Sequence, residues 1–235
     1  MNVKLTDEQW QKILPVLKSC APDIRLGAGR DARRFLEAVL WITRSGSQWR
    51  LLPKQYGKWN SVFKRFNRWS HLGIFEKLFE KMSRDRDLEY LLIDSTIVRA
   101  HACSAGAQKN TAHKELGRSR GGHSTKIHLA TDALGNAIRF ILTGGERNDI
   151  TQAERLIENL FPDYVIADKG YDADKFVLLL RKKDVQAVIP SKINRKIQRL
   201  IDTDLYKERH LIECCIGKLK HFRRVFSPAS VFTFR

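Results

Sequence analysis

The sequence predicts an α/β protein, a mixed sheet flanked by helices and preceded by a small all-helical domain. Three observations carry this reading. Apolar residues recur at helical spacing through about the first 85 positions. From about residue 88 the pattern shifts to short apolar or alternating runs bounded by turn residues. Beyond residue 150, strand-like runs alternate with helical ones, as in sheets that carry helices on their faces. The boundary divides the 235 residues into 1–85, a helical domain, and 86–235, an α/β domain.

Thr6-Asp7-Glu8-Gln9 has the form of a capping box, followed by Trp10, Ile13, Leu14 and Leu17 on one helical face. Pro15 inside that run predicts a kink or an early stop. Ala21 to Gly29 reads as loop, and a second helix follows Arg30, with Phe35, Ala38, Val39 and Ile42 together. Ser45-Gly46-Ser47 ends it. Between Gly57 and Trp69, the residues Trp59, Val62, Phe63, Phe66 and Trp69 form an apolar stripe beside Lys64, Arg65, Asn67 and Arg68. Several short helices with a basic one among them resemble a helix-turn-helix arrangement. The aromatics are core in either case; the charges are a DNA-contacting face or a solvated one.

Leu91 to Val98 suits a strand buried on both faces. Residues 102–122 are polar and basic, including Lys109, Lys114, Arg118 and Arg120, and predict a loop. Thr125–Thr131 and Ala137–Thr143 alternate around the turn Asp132–Asn136 and form a hairpin. Thr151-Gln152-Ala153-Glu154 reads as a second capping box opening a helix to Leu160. Tyr164–Ala167 is a strand, Ala173–Lys183 a helix and Gln186–Ile189 a strand. A basic loop spans 191–203 before a last helix begins near Asp204.

Lys and Arg number 43 against 26 Asp and Glu, a net charge of +17, which points to a polyanionic partner, most simply nucleic acid. No stretch approaches about eighteen apolar residues, and Met1–Thr6 lacks the core of a signal peptide. A cytoplasmic, nucleoid-associated protein without membrane partners is expected. Cys20, Cys103, Cys214 and Cys215 fit neither a disulfide framework nor a zinc site and read as reduced thiols.

The chemistry concentrates on three acids. Asp94 and Asp168 each end an apolar strand run, where sheets of this kind place ligands. Glu213 lies on the last helix. On an ideal helix with Tyr206 at zero, Arg209, Glu213 and Lys220 fall at about 300, 340 and 320 degrees, one narrow arc. Carboxylates presented from two strand ends and a helix can hold two divalent cations against a phosphodiester. On spacing alone, an ordinary amphipathic helix with surface ion pairs explains the arc equally well.

Tyr206-x2-Arg209-x3-Glu213-x6-Lys220 resembles the signature of bacterial DDE transposases of the insertion-sequence-four and insertion-sequence-five type. Asp94 in Ile-Asp-Ser-Thr and Asp168 in Ala-Asp-Lys-Gly-Tyr-Asp are similar to that family's two aspartate motifs. The run Arg118–His128 is typical of the insertion-sequence-five group. Leu5–Trp10 and Trp49–Pro53 resemble its N-terminal helical domain. The resemblance implies a ribonuclease-H-like catalytic domain in which Asp94, Asp168 and Glu213 are catalytic and bind two Mg²⁺, with Mn²⁺ able to substitute. It implies a transposase that binds terminal inverted repeats and cleaves and transfers strands, a homodimer on duplex DNA of transposon ends and target. Tyr206, Arg209 and Lys220 would then position the transposon end. Lys64, Arg65, Arg68, Arg118, Arg120 and Lys126 are the further candidates for DNA or phosphate contact.

Two departures stand beside the resemblance. Only 45 positions separate Asp168 from Glu213, too few for the inserted strand domain of some relatives. After Phe226 the chain runs Ser227–Arg235 where family members continue with a longer helical tail, so a truncated or frameshifted copy is expected. The alternatives are a degenerate copy that binds DNA without completing transposition, or a nuclease of the same fold. His101, His123 and His128 read as structural or phosphate contacts, and Asp172 and Asp174 as helix-start caps.

Overall fold

A computed structural model describes residues 3–20, 29–99, 117–119 and 122–226, the side chains of 29–30, 118–119 and 226 excepted. The chain divides into two compact units, Met1–Arg84 with Lys220–Arg235, and Asp85–Leu219. The first division falls beside the expected boundary. The described residues from Lys220 onward group with the helical unit instead of the sheet.

The helical unit is built from α1 (Asp7–Cys20), α2 (Gly29–Ser45), α3 (Trp59–His71) and α4 (Ile74–Met82). The capping box forms as the sequence predicts: Gln9 N–H donates to Thr6 Oγ1 (3.2 Å) and Thr6 N–H to Gln9 Oε1 (3.0 Å). Helix α1 passes through Pro15 and continues to Cys20. Gly46, at φ +71°, ends α2 in the left-handed conformation that glycine adopts without strain. The core joins Leu17, Phe35, Ile42, Val62 and Trp69, with the Phe35 and Trp69 rings edge-on at 4.7 Å.

The second unit carries β1 (Tyr90–Arg99), β2 (Gly117–Ser119), β3 (Gly122–Thr131), β4 (Ala137–Gly144), α5 (Ile150–Leu156), β5 (Tyr164–Ala167), α6 (Asp174–Lys182), β6 (Gln186–Val188), α7 (Thr203–Lys207) and α8 (His210–Lys220). A short α9 (Arg223–Phe226) follows. The strands run β4-β3-β1-β5-β6, with β2 also pairing β3. Strand β1 is antiparallel to β3 and parallel to β5, and β5 is parallel to β6. One antiparallel hairpin feeding a parallel half is the ribonuclease-H-like arrangement.

Strand alternation sorts the core. Leu91, Ile93, Val165 and Ala167 face α5 and α6, packing with Ala153, Leu156, Phe176 and Leu180. Leu92, Ile166 and Leu129 face the other way, against Ile212, Cys215 and Ile216 of α8.

Four local expectations need correction. Gly117–Ser119, read as loop, forms β2 on β3. Helix α5 is shorter than expected and its capping box does not form, because Thr151 Oγ1 donates to the Asn148 carbonyl (2.6 Å). Asp172 and Asp174 do not cap α6, whose N-cap is Ala173. The last helix is two pieces. Glu208 N–H and Arg209 N–H bond three residues back, a tight turn that separates α7 from α8. Residues 101–116 and 227–235, with Lys109, Lys114, His101 and Cys103, lie outside the described residues.

Candidate active site

The pairing of β1 with β5 aligns Ile93 with Ala167, so Asp94 and Asp168 are the next residues along two neighbouring parallel strands. Such strands lie about 4.8 Å apart. Alternation then sets their faces. Leu92 and Ile166 pack under α8, so Asp94 and Asp168, two residues on, lie on that same face. Glu213 is carried by α8 itself, one residue from the buried Ile212.

Arg209 ties the helix to the middle of β1. Its Nη2 donates to Asp94 Oδ2 at 2.9 Å, and its Nη1 to Glu213 Oε1. One guanidinium therefore bridges two of the three acids. Asp168 Oδ1 accepts the Gly170 amide at 2.8 Å, and a Cβ at position 170 would sit 2.8 Å from that oxygen. Glycine lets the turn wrap the carboxylate this closely.

Burial pushes the Asp94 carboxyl above its usual range. The Ser95 amide and Arg209 pull it down, while Asp168 and Asp149 push it further up. Desolvation works against the Arg209 charge, but Asp94 and Glu213 outweigh it and leave its pKa raised. The site is thus a set of acids that repel one another, held by a single arginine. Among the described residues no three His, Cys, Asp or Glu side chains converge closely enough to grip a metal ion as they stand. The donor chemistry fits one nevertheless. Three carboxylates offer only oxygen, which suits a hard divalent cation, and a positive group already bridges Asp94 and Glu213.

Tyr206 is half-buried and close enough to Arg209 to influence its charge. Lys220 is exposed at the end of α8, and Lys64 and Arg68 are exposed on α3. Two expected DNA contacts take other roles. Arg65 lays its guanidinium over the Phe35 ring at 4.5 Å and the Trp69 ring at 4.9 Å, and so belongs to the helical core. Lys126 is buried at 9% exposure, its ammonium on the Arg147 carbonyl (2.7 Å) and Asp149 Oδ1 (3.1 Å). Both are committed inside the fold. Arg118 lies on β2 with its side chain outside the described residues, as is Arg120. His128 is fully buried on Thr143 Oγ1 at 2.8 Å, and burial lowers its pKa to about 4, so its ring is neutral at neutral pH.

Sequence reasoning missed two residues. Asp149 approaches the Asp94 strand from the start of α5, accepting from Ser95 Oγ at 2.6 Å. Tyr171 is buried at 1% exposure, its hydroxyl without a partner among the described residues. Burial, then Asp149, Asp94 and Asp168, push that hydroxyl's pKa up. Tyr171 was visible inside the Asp168 motif; Asp149 had no signal beyond an acid ahead of a helix.

Comparison with known proteins bears on the whole chain. Residues 85–227 match the family described as transposase DDE domain, and residues 5–79 the one described as putative transposase of the IS4/5 family. An uncharacterized protein, y4sN, of Sinorhizobium fredii is 36% identical over 129 residues, covering 55% of this chain and 95% of that one. A putative transposase for insertion sequence element IS6501 of Brucella ovis is 40% identical over 105 residues, 43% of this chain and 80% of that one. The piggyBac transposase in a synaptic complex with hairpin DNA aligns at TM-score 0.43 and 12% identity, over 83% of this chain and 50% of that one.

Proposed function

For a chain that belongs to the DDE transposases, we propose that this insertion-sequence transposase binds the terminal inverted repeats of its element and both cleaves and transfers strands. Asp94, Asp168 and Glu213 are the residues that would hold two Mg²⁺, or Mn²⁺ in its place. Bound there, the ions would sharpen an attacking water or 3′-hydroxyl and stabilise the departing oxygen.

The chain's own residues do the rest. Asp94 presents its carboxylate from within β1, and Asp168 from just past the end of the neighbouring β5. Glu213 closes the set from α8. Arg209 neutralises the acids at rest and is placed, with Tyr206 and Lys220, to take up phosphate oxygens when DNA arrives. Lys64 and Arg68 on α3 grip the duplex backbone. The +17 charge supports DNA as partner; the proposed setting is the cytoplasmic nucleoid, with a homodimer bridging two ends. The observation that carries the reading is the register of β1 on β5, which supports a shared face for Asp94 and Asp168, the face against which α8, carrying Glu213, packs.

Supercoiled plasmid carrying the element's ends, incubated with the chain and Mg²⁺, tests it. End-specific 3′ nicks with joined products are expected. Cuts that are never joined would make the chain a nuclease, and a gel shift without cuts would make it a DNA-binding copy alone.

A further inference from the structure

Beneath Asp94, on the opposite face of the sheet, the otherwise apolar packing is interrupted by a polar hub. Leu91, Ile93 and Ala130 line that face with buried carbon, yet the next positions along it are Ser95, His128 and Lys126. All three converge on one oxygen. Asp149 Oδ1 accepts from Ser95 Oγ at 2.6 Å and from Lys126 Nζ at 3.1 Å, with His128 Nδ1 at 3.7 Å. Asp149 stands at the N-cap of α5 but makes no capping bond there.

A buried ion pair such as Lys126–Asp149 adds little net stability over apolar packing, because desolvating both charges cancels the attraction. Its use is placement. Ser95 shows what is placed. Its hydroxyl is held from below by Asp149, and its amide donates to Asp94 Oδ1 at 2.7 Å on the other side. Ser95 is thus a relay between the hub and the acid.

We propose that Asp149 is a positioning residue of the cleavage site, acting through Ser95 to aim the Asp94 carboxylate at a divalent cation. The inference rests on the reading of Asp94 as a cation-holding acid. Outer contacts that orient a ligand typically change metal affinity or activity by about 10–100-fold when removed. Because Asp149 and Ser95 act in series, losing both should be no worse than losing one.

The test is Mn²⁺ titration of the full chain, followed by the electron paramagnetic resonance of the free ion, alongside cleavage of plasmid ends. Asp149→Ala and Ser95→Ala are each expected to lower Mn²⁺ affinity and cleavage by about 10–100-fold. The double variant should match the worse single, Asp149→Asn should recover part of the loss, and gel-shift affinity for the ends should hold. Ser95→Ala removes one hydroxyl and keeps the fold, which thermal melting verifies. Unchanged Mn²⁺ affinity in both variants, or losses that multiply in the double, overturns the inference alone. A wild-type chain that neither binds Mn²⁺ nor cuts ends brings down the site reading as well.

Discussion

Two acidic clusters, Asp172 with Asp174 and Asp94 with Asp168 and Glu213, are treated in opposite ways. Asp172 is buried and saturated: the Lys192 amide (2.8 Å), Arg195 Nε (2.5 Å) and Arg199 Nη1 all donate to it. Asp174 shares both arginines. Burial opposes the Asp172 charge, but these donors overcome it and hold its pKa down at about 2. Asp94 is half-buried, yet it has one arginine, one amide and two further acids nearby, and its pKa goes up. The first cluster is a clasp that pins the 191–200 loop onto the segment after Asp168. The second is left short of positive charge. A fold able to satisfy Asp172 so fully leaves Asp94 short of positive charge, which is the condition the proposed cation site requires.

The comparison breaks most visibly at Asp94. Asp94→Asn should cut end cleavage by roughly a thousandfold, the several kcal/mol that metal-assisted phosphoryl chemistry supplies. Its melting temperature should not fall, since a strained charge has been removed. At the clasp the consequences reverse. Asp172→Ala leaves Arg195 and Arg199 with Asp174 alone and the Lys192 amide without its acceptor, and should cost about 1–3 kcal/mol of stability, read by urea unfolding, with a smaller effect on cleavage by the folded fraction.

Acid sharpens the same contrast. Asp172 has a depressed pKa in the folded state, so its contribution is present above the unfolded value near 3.8 and is lost as pH falls through about 2. Unfolding free energies should drop by about 2 kcal/mol across that window, and the drop should shrink in Asp172→Asn. Asp94 has the opposite sign: its raised pKa favours the folded state most below 3.8, an advantage lost as pH rises through the folded value. The smallest effect belongs to the helical unit. Lys64→Ala and Arg68→Ala should each lower the slope of log affinity against log salt by about 0.9 without altering cleavage of bound ends.

How far the sequence is legible follows from the range of the interactions involved. Apolar period and turn residues are local, so β1, the β3–β4 hairpin, β5, α6 and the Thr6–Gln9 capping box can all be read from it. Asp94, where the apolar part of β1 gives way, and Asp168, just past β5, were visible because a carboxylate closing a buried run is out of place unless it has work to do. The pairing of Ile93 with Ala167, which sets two of those acids side by side, is non-local and was not. The same reason hid the hub. Lys126 looks like any basic residue in an alternating strand, and only tertiary packing turns it inward onto Asp149. Arg65 shows the same failure in the helical unit, where Phe35 and Trp69 draw a charge off the expected DNA face. The single long helix after Asp204 failed at the turn before His210, but Arg209 and Glu213 still meet across four residues.

The most direct measurement is a crystal structure of the chain soaked in Mn²⁺, with the ions located by anomalous scattering. The account predicts anomalous peaks among Asp94, Asp168 and Glu213, with Arg209 drawn off Asp94. Peaks confined to other acids, with the Arg209–Asp94 contact intact at Mn²⁺ levels that support cleavage, would contradict it.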